Sequence, residues 1–167
     1  MLEELPRFID PKQLALQNAY LKGEVALAQL KRLHDSLCEI QGMVKIEWIF
    51  ALDNKQRPTI QGSIQAQLPM LCQRCLQPLQ WTVDTQIALV VFNGEPHPNE
   101  ELLIGYEIIT LNHHRLSLLS LIEDEIILAL PIVAKHDICI ANEYQLSAEK
   151  MANNASSNPF QLLLKLK

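Results

Sequence analysis

The chain has 167 residues, 49% of them apolar and 20% charged, with a formal net charge of −5. That composition excludes a disordered chain and suits one folded domain with a sizeable core. The acidic balance argues against a general coat for phosphate backbones. It favours a basic protein partner, or an RNA contact confined to one local patch.

The opening residues, Met1-Leu2-Glu3-Glu4-Leu5-Pro6, lack the basic and apolar regions of a secretory signal. The apolar run over residues 116–130 is too short to span a bilayer and is broken by Glu123, Asp124 and Glu125. These features predict a cytoplasmic protein with no membrane segment. Its four cysteines, Cys38, Cys72, Cys75 and Cys139, are then reduced, which leaves metal ligation or core packing as their roles.

Asp10-Pro11 reads as a helix start, with a carboxylate cap and proline at the first helical position. Leu14, Leu16 and Tyr20 share one face of that helix, and Gly23 is expected to end it. A second helix is predicted over residues 25–37, where Leu27, Leu30, Leu33 and Leu37 recur at steps of three and four. Lys31, Arg32 and Asp35 fall on its solvated face.

Strand signals come after it. Val44, Ile46, Trp48 and Phe50 alternate with Lys45 and Glu47, and Asp53-Asn54 supplies a turn. Ile60, Gly62, Ile64, Ala66 and Leu68 alternate with Gln61, Ser63, Gln65 and Gln67. Leu79, Trp81, Val83, Ile87, Leu89 and Val91 then oppose Gln80, Thr82, Asp84 and Gln86. Together they predict an antiparallel meander with one buried and one wet face. Residues 93–101 read as a loop, and residues 106–111 as a fourth strand. His97 and the triplet His113-His114-Arg115 read as exposed loop positions.

The strongest helix signal comes next. Ser117 is a good cap, Leu116 and Leu121 have the spacing of a hydrophobic staple, and Pro131 stops the helix after Leu130. The helix is apolar nearly all round, yet it carries Glu123-Asp124-Glu125 at one level. At 100° per residue these three diverge, so at least one is expected to face the packed side and to need a cation. Arg74 is the expected partner of Glu123 or Glu125.

Cys72-Gln73-Arg74-Cys75 lies between two strand signals, where a tight turn aims both thiols inward. His136 and Cys139 form a second candidate pair. One reading joins Cys72, Cys75, His136 and Cys139 in a closed Cys₃His set for structural zinc, with Arg74 and backbone N–H groups supporting the thiolates. The other leaves them as four unlinked residues. A redox pair is disfavoured, because reactive Cys-x-x-Cys pairs sit at a helix N-terminus and this one joins strands. Cys38 reads as a small core residue. The tail over residues 140–167 holds a linker, Asn153-Asn154-Ala155-Ser156-Ser157, and a helix start at Asn158-Pro159. Phe160, Leu163 and Leu164 there either dock on the chain's own core or bind a partner. There is no Gly-rich phosphate loop and no Gly-x-Ser-x-Gly turn, and no small-molecule substrate is indicated.

Leu71-Cys72-Gln73-Arg74-Cys75, then residues 121–131 with Glu123-Asp124-Glu125 and a closing Leu130-Pro131, then His136-Asp137 and Cys139, then Asn158-Pro159-Phe160, occur in that order. The chain in this respect resembles the YceD family of large ribosomal RNA subunit accumulation proteins. The resemblance extends over essentially the whole chain, and its most specific part is the Glu-Asp-Glu helix ending in Leu-Pro. It implies a non-enzymatic role in 23S ribosomal RNA accumulation and large-subunit biogenesis, with a large-subunit ribosomal protein or 23S rRNA as partner. Arg74, Glu123, Asp124, Glu125, Asn158, Pro159 and Phe160 are the expected partner-binding residues. Some members carry a second full Cys-x-x-Cys pair where this chain has His136 and Cys139. An Mg²⁺-dependent enzyme acting on ribosomal RNA through Glu123, Asp124 and Glu125 is the competing reading.

The expected fold is α+β: an antiparallel sheet, open or barrel-like, packed by the helix after Ser117 and by N-terminal helices. Residues 1–139 form the domain and residues 140–167 the tail.

Overall fold

A computed structural model describes residues 5–96, 104–111 and 115–139. The elements run β1 (Phe8–Ile9), α1 (Pro11–Leu16), β2 (Tyr20–Ala26), two 3₁₀ turns (Leu27–Gln29 and Lys31–Ser36), β3 (Met43–Leu52), β4 (Pro58–Leu71), β5 (Pro78–Asn93), β6 (Glu107–Leu111), β7 (Leu116–Ser117) and α2 (Leu118–Ala129). Five strands form one open sheet in the order β2-β3-β4-β5-β6, and β1 pairs with β7 in a two-stranded ribbon. The expected α+β class holds. The sheet is not a closed barrel, and β6 departs from the antiparallel pattern by pairing parallel to β5. A parallel neighbour needs a connection of about a dozen residues, and thirteen positions separate the end of β5 from the start of β6 in sequence.

The sheet obeys the two-residue period. Val44, Ile46, Trp48 and Phe50 are buried while Lys45, Glu47 and Ile49 are exposed. Ile60, Ile64 and Leu68 continue the buried face on β4, and Val83, Ile87 and Leu89 on β5. Each fully buried side chain of this size contributes on the order of 2 kcal/mol. Gly62 sits opposite Trp48, where an added Cβ would lie 1.9 Å from the Glu47 carbonyl oxygen. The Asp53 turn forms as expected: Asp53 Oδ1 accepts from the N–H groups of Lys55 and Arg57, both at 2.8 Å.

The N-terminal region differs from the sequence reading. Asp10 does cap α1, accepting from the N–H groups of Lys12 and Gln13 at 3.0 and 3.1 Å. The helix ends at Leu16, however, and Tyr20 and Gly23 belong to β2. A Cβ at Gly23 would meet the Leu5 side chain at 2.7 Å, so a larger residue there would require Leu5 to shift. No α-helix forms over residues 25–37. Leu27, Leu30 and Leu33 are fully buried, but Leu27 and Leu33 lie in successive 3₁₀ turns and Leu30 in the joint between them. Their spacing of three is the 3₁₀ period, and sequence periodicity reads it equally well as α-helical.

Helix α2 begins where the sequence places it. Ser117 caps it through the Ser120 N–H at 3.3 Å, and the staple residues Leu116 and Leu121 are both buried. Leu118, Leu121, Ile122, Glu123 and Ile126 form its buried stripe. The helix is apolar nearly all round in sequence but is buried along this stripe, and Leu128 is 72% exposed. Among the described residues no helix is long and apolar enough to cross a membrane.

Glu123 does face the packed side, as expected, but its partner is not Arg74. Glu123 Oε1 accepts the backbone N–H of Arg32 at 3.0 Å. The Arg32 guanidinium pairs with Asp124, so the second 3₁₀ turn docks on α2 through one arginine. Glu123→Ala leaves the Arg32 N–H unpaired and should destabilise the protein by about 1–3 kcal/mol in urea unfolding. Glu123→Gln keeps an acceptor and should lose less. Asp124→Ala should cost less than about 1 kcal/mol, because both partners of that pair are 53% exposed. Equal losses for all three variants would contradict this assignment.

Candidate metal centre

Strands β4 and β5 meet in the turn over residues 72–77. The turn is closed by Cys72 N–H to the Gln77 carbonyl at 3.0 Å and Leu76 N–H to the Cys72 carbonyl at 2.9 Å. Leu76 takes the left-handed conformation, with φ 58°. This folding brings Cys72 and Cys75 to the same side of the hairpin tip. The segment after α2 then returns to that tip because Pro131 ends the helix and redirects the chain. It docks there through the Gln73 N–H, which donates to the Ala134 carbonyl at 2.8 Å.

The result is a cluster. One ligand atom from each of Cys72, Cys75, His136 and Cys139 lies within 4.8 Å of the others. These four residues, in two pairs separated in sequence by some sixty positions, are the set that one of the two sequence readings joined. Two sulfurs bound to tetrahedral zinc through bonds of about 2.3 Å stand about 3.8 Å apart. The Cys72 and Cys139 sulfurs are 3.7 Å apart. Cys75 Sγ lies 3.4 Å from His136 Nδ1, close to the sulfur–nitrogen separation of about 3.6 Å that the same geometry requires. His136 Nε2 lies 3.2 Å from the Pro78 carbonyl oxygen. That oxygen only accepts, so the ring proton belongs on Nε2, and Nδ1 turns its lone pair toward the cysteines. The donor set fits a single soft or borderline cation with all four positions filled by protein.

The surroundings are electropositive where the sulfurs need it. The His136 backbone N–H donates to Cys72 Sγ at 3.4 Å. Arg74 Nε donates to Cys139 Sγ at 2.9 Å, and Arg74 Nη2 to the Cys139 carbonyl at 2.7 Å. Burial alone would push the Cys72 thiol up, but the N–H groups of Cys75, His136 and Arg74 outweigh it and hold Cys72 at about 5. Cys75 moves the other way. The Gln77 N–H favours its thiolate, yet burial and the nearby Cys72 and Cys139 sulfurs push it up. The surrounding donors thus favour the thiolate of Cys72 over its thiol.

Arg74 therefore serves the cysteines and not the carboxylates of α2. The three carboxylates diverge: Glu123 and Asp124 are engaged with Arg32, while Glu125 is partly buried beside Glu107. Burial, with Glu107 and Asp124 adding to it, pushes the Glu125 carboxyl up. Among the described residues the Cys₃His cluster is the one grouping of three or more His, Cys, Asp or Glu side chains with metal-binding geometry. Asn158, Pro159 and Phe160 lie outside the described residues. Arg32 is the residue that the sequence reading missed, since an arginine at the edge of an apolar stripe looks like any solvated charge. Cys38 packs beside the hairpin, its N–H donating to the Pro69 carbonyl at 2.9 Å.

An open five-stranded sheet, closed at one hairpin tip by a Cys₃His cluster and braced by an acidic helix, defines a class of small α+β scaffold with a metal-type clip. The chain belongs to the YceD family, the large ribosomal RNA subunit accumulation proteins, whose sequence profile matches residues 60–167. It is also similar to the large ribosomal RNA subunit accumulation protein YceD of Haemophilus influenzae, at 28% identity over 98% of this chain and 97% of that protein. No solved structure matches the chain.

A depressed thiol stabilises the folded state only while the thiolate persists. In the metal-free protein the Cys72 contribution is fully present above the unfolded-state value near 9.0 and is lost as pH falls through about 5. Denaturant midpoints of metal-free wild type and Cys72→Ser should therefore differ most at alkaline pH and converge on acidification. A gap between them that widens toward low pH would overturn the assignment.

Proposed function

We propose that this protein is a non-enzymatic factor in large ribosomal subunit biogenesis, acting by binding a large-subunit precursor through ribosomal protein, 23S rRNA or both. The observation that carries the reading is membership of the YceD family, with an alignment to the Haemophilus protein that runs nearly end to end. The net charge of −5 favours a basic ribosomal protein as the direct contact. The Mg²⁺-dependent alternative gains no support. Its three carboxylates face different neighbours, and two are occupied by Arg32. Arg74, Glu123 and Asp124 act in this reading by holding the hairpin tip and α2 in place, so that the docking surface has one shape.

Within the same proposal the Cys₃His cluster takes zinc as a structural clip. Four protein ligands leave no open position for a substrate or a reactive water. Three thiolates and a neutral imidazole around a divalent cation leave one negative charge, and the Arg74 guanidinium offsets it.

Two measurements test these readings. Affinity-tagged protein expressed in growing cells should co-sediment with large-subunit precursors, and its loss should lower 23S rRNA relative to 16S rRNA. Sedimentation only as free protein, or cleavage of ribosomal RNA by the purified chain with Mg²⁺, would overturn the first. Elemental analysis of purified protein should find one zinc per chain, lost in Cys139→Ser. Arg74→Ala should bind the same amount but about 10–100-fold more weakly in a chelator competition. Absence of zinc in wild type purified without chelators, together with no uptake on addition, would overturn the second.

A further inference from the structure

Beside the hairpin tip lies a groove of about 460 Å³. Leu37 comes to it from the end of the second 3₁₀ turn, Met70 and Leu71 from the end of β4, and Pro131, Ile132 and Val133 from the segment after α2. Asp35 also borders it. Ile132 is 103% exposed and Val133 55%, beside the exposed Leu71. Three large apolar side chains sharing one groove form a patch of the kind that marks a docking site, unlike apolar residues scattered singly. Neither the Cys₃His cluster nor the carboxylates of α2 accounts for it.

The course of the chain points to its occupant. The described residues end at Cys139, which Arg74 and Cys72 hold at the hairpin tip. Gln73, at the same tip, borders the groove and bonds Ala134 on the groove's other side. Residues 140–157 therefore start next to the groove. A random coil of that length has an end-to-end distance of roughly 20–25 Å, ample to bring residues 158–167 back onto it. Those residues read Asn-Pro-Phe-Gln-Leu-Leu-Leu-Lys-Leu-Lys. Phe160, Leu163 and Leu164 fall at the spacing that places three side chains on one helical face. The segment carries two lysines and no acidic side chain, a charge that complements Asp35.

We propose that residues 158–167 dock within the same chain in this groove, with Phe160, Leu163 and Leu164 covering Leu71, Ile132 and Val133. Tethering raises the segment's effective concentration to the order of millimolar, so a contact too weak to survive between separate molecules is occupied here. The inference is independent of any ribosomal role, since it concerns only how the chain covers its own apolar surface.

The test uses the full chain with Ile132→p-benzoylphenylalanine, a position open enough to take the probe without disturbing the core. Irradiation of dilute protein followed by digestion and mass spectrometry should give cross-links to residues 158–167 of the same molecule, at a yield independent of concentration. The same probe at Ile104, which is fully exposed outside the groove, should not give them. Phe160→Ala, Leu163→Ala and Leu164→Ala combined should lower the yield about tenfold, and amide exchange at Leu71 and Val133 should speed up by about the same factor. Cross-linked dimers whose yield falls on dilution would put a second copy in the groove and overturn the proposal. So would cross-linking that never reaches residues 158–167, or exchange rates unmoved by the triple variant.

Discussion

The geometry at the hairpin tip depends on how a buried sulfur is solvated. Cys72 is inaccessible to water, and backbone N–H groups of the turn and of His136 point at its sulfur and favour the thiolate. A nest of this kind forms only if the turn takes one conformation and the segment after α2 returns to it. The same N–H groups thus fix the backbone of the tip, the position of His136 and the ionisation of the sulfur. Arg74 adds a second constraint by spanning the Cys139 sulfur and carbonyl with two donors of one rigid fork. The returning segment is held besides by the Gln73–Ala134 bond and by the contacts of His136 with Cys75 and Pro78.

Two arginines hold the hairpin tip and α2, each engaged with its own set of partners. Arg74 is committed to the cysteines and Arg32 to the acidic helix. The division follows from reach. Arg74 lies between two cysteines of a tight turn and is carried to whatever those cysteines approach. Arg32 sits in a 3₁₀ turn that packs Leu30 and Leu33 into the core, which sets its backbone N–H against Glu123. A carboxylate facing the core is tolerated because a backbone donor meets it there, while its neighbour Asp124 meets the side chain nearer to solvent.

Features governed by local chemistry were legible in the sequence. Alternation marked both faces of β3, β4 and β5, because a half-buried strand has no other way to segregate its side chains. Asp10-Pro11 and Ser117 announced helix starts through the hydrogen bonds that they supply, and Asp53 announced a turn. The four members of the Cys₃His cluster were legible by residue type and by their place at a turn and after a proline stop. What failed depended on partners distant in sequence or on degenerate periods. Leu27, Leu30 and Leu33 fit helical and 3₁₀ spacing alike, and pairing with β3 drew residues 20–26 into the sheet. The parallel pairing of β6 with β5 is set by strand neighbours and not by any residue pattern within β6. The pairing of Glu123 with Arg32 spans ninety-one positions, so nothing in local sequence favoured it over Arg74.

The long separation between the two halves of the clip also bears on how the chain reaches its fold. The β4–β5 hairpin joins neighbours in sequence and forms with little loop-closure entropy, whereas uniting Cys72 with Cys139 encloses β5, β6 and α2 in one large loop. Closure of that loop belongs late on the path, after the sheet has a face for α2 to meet. Contacts made after the rate-limiting barrier set the speed of unfolding and leave the speed of folding nearly untouched. The clip therefore works as a latch, lengthening the lifetime of the native state once the sheet is already built.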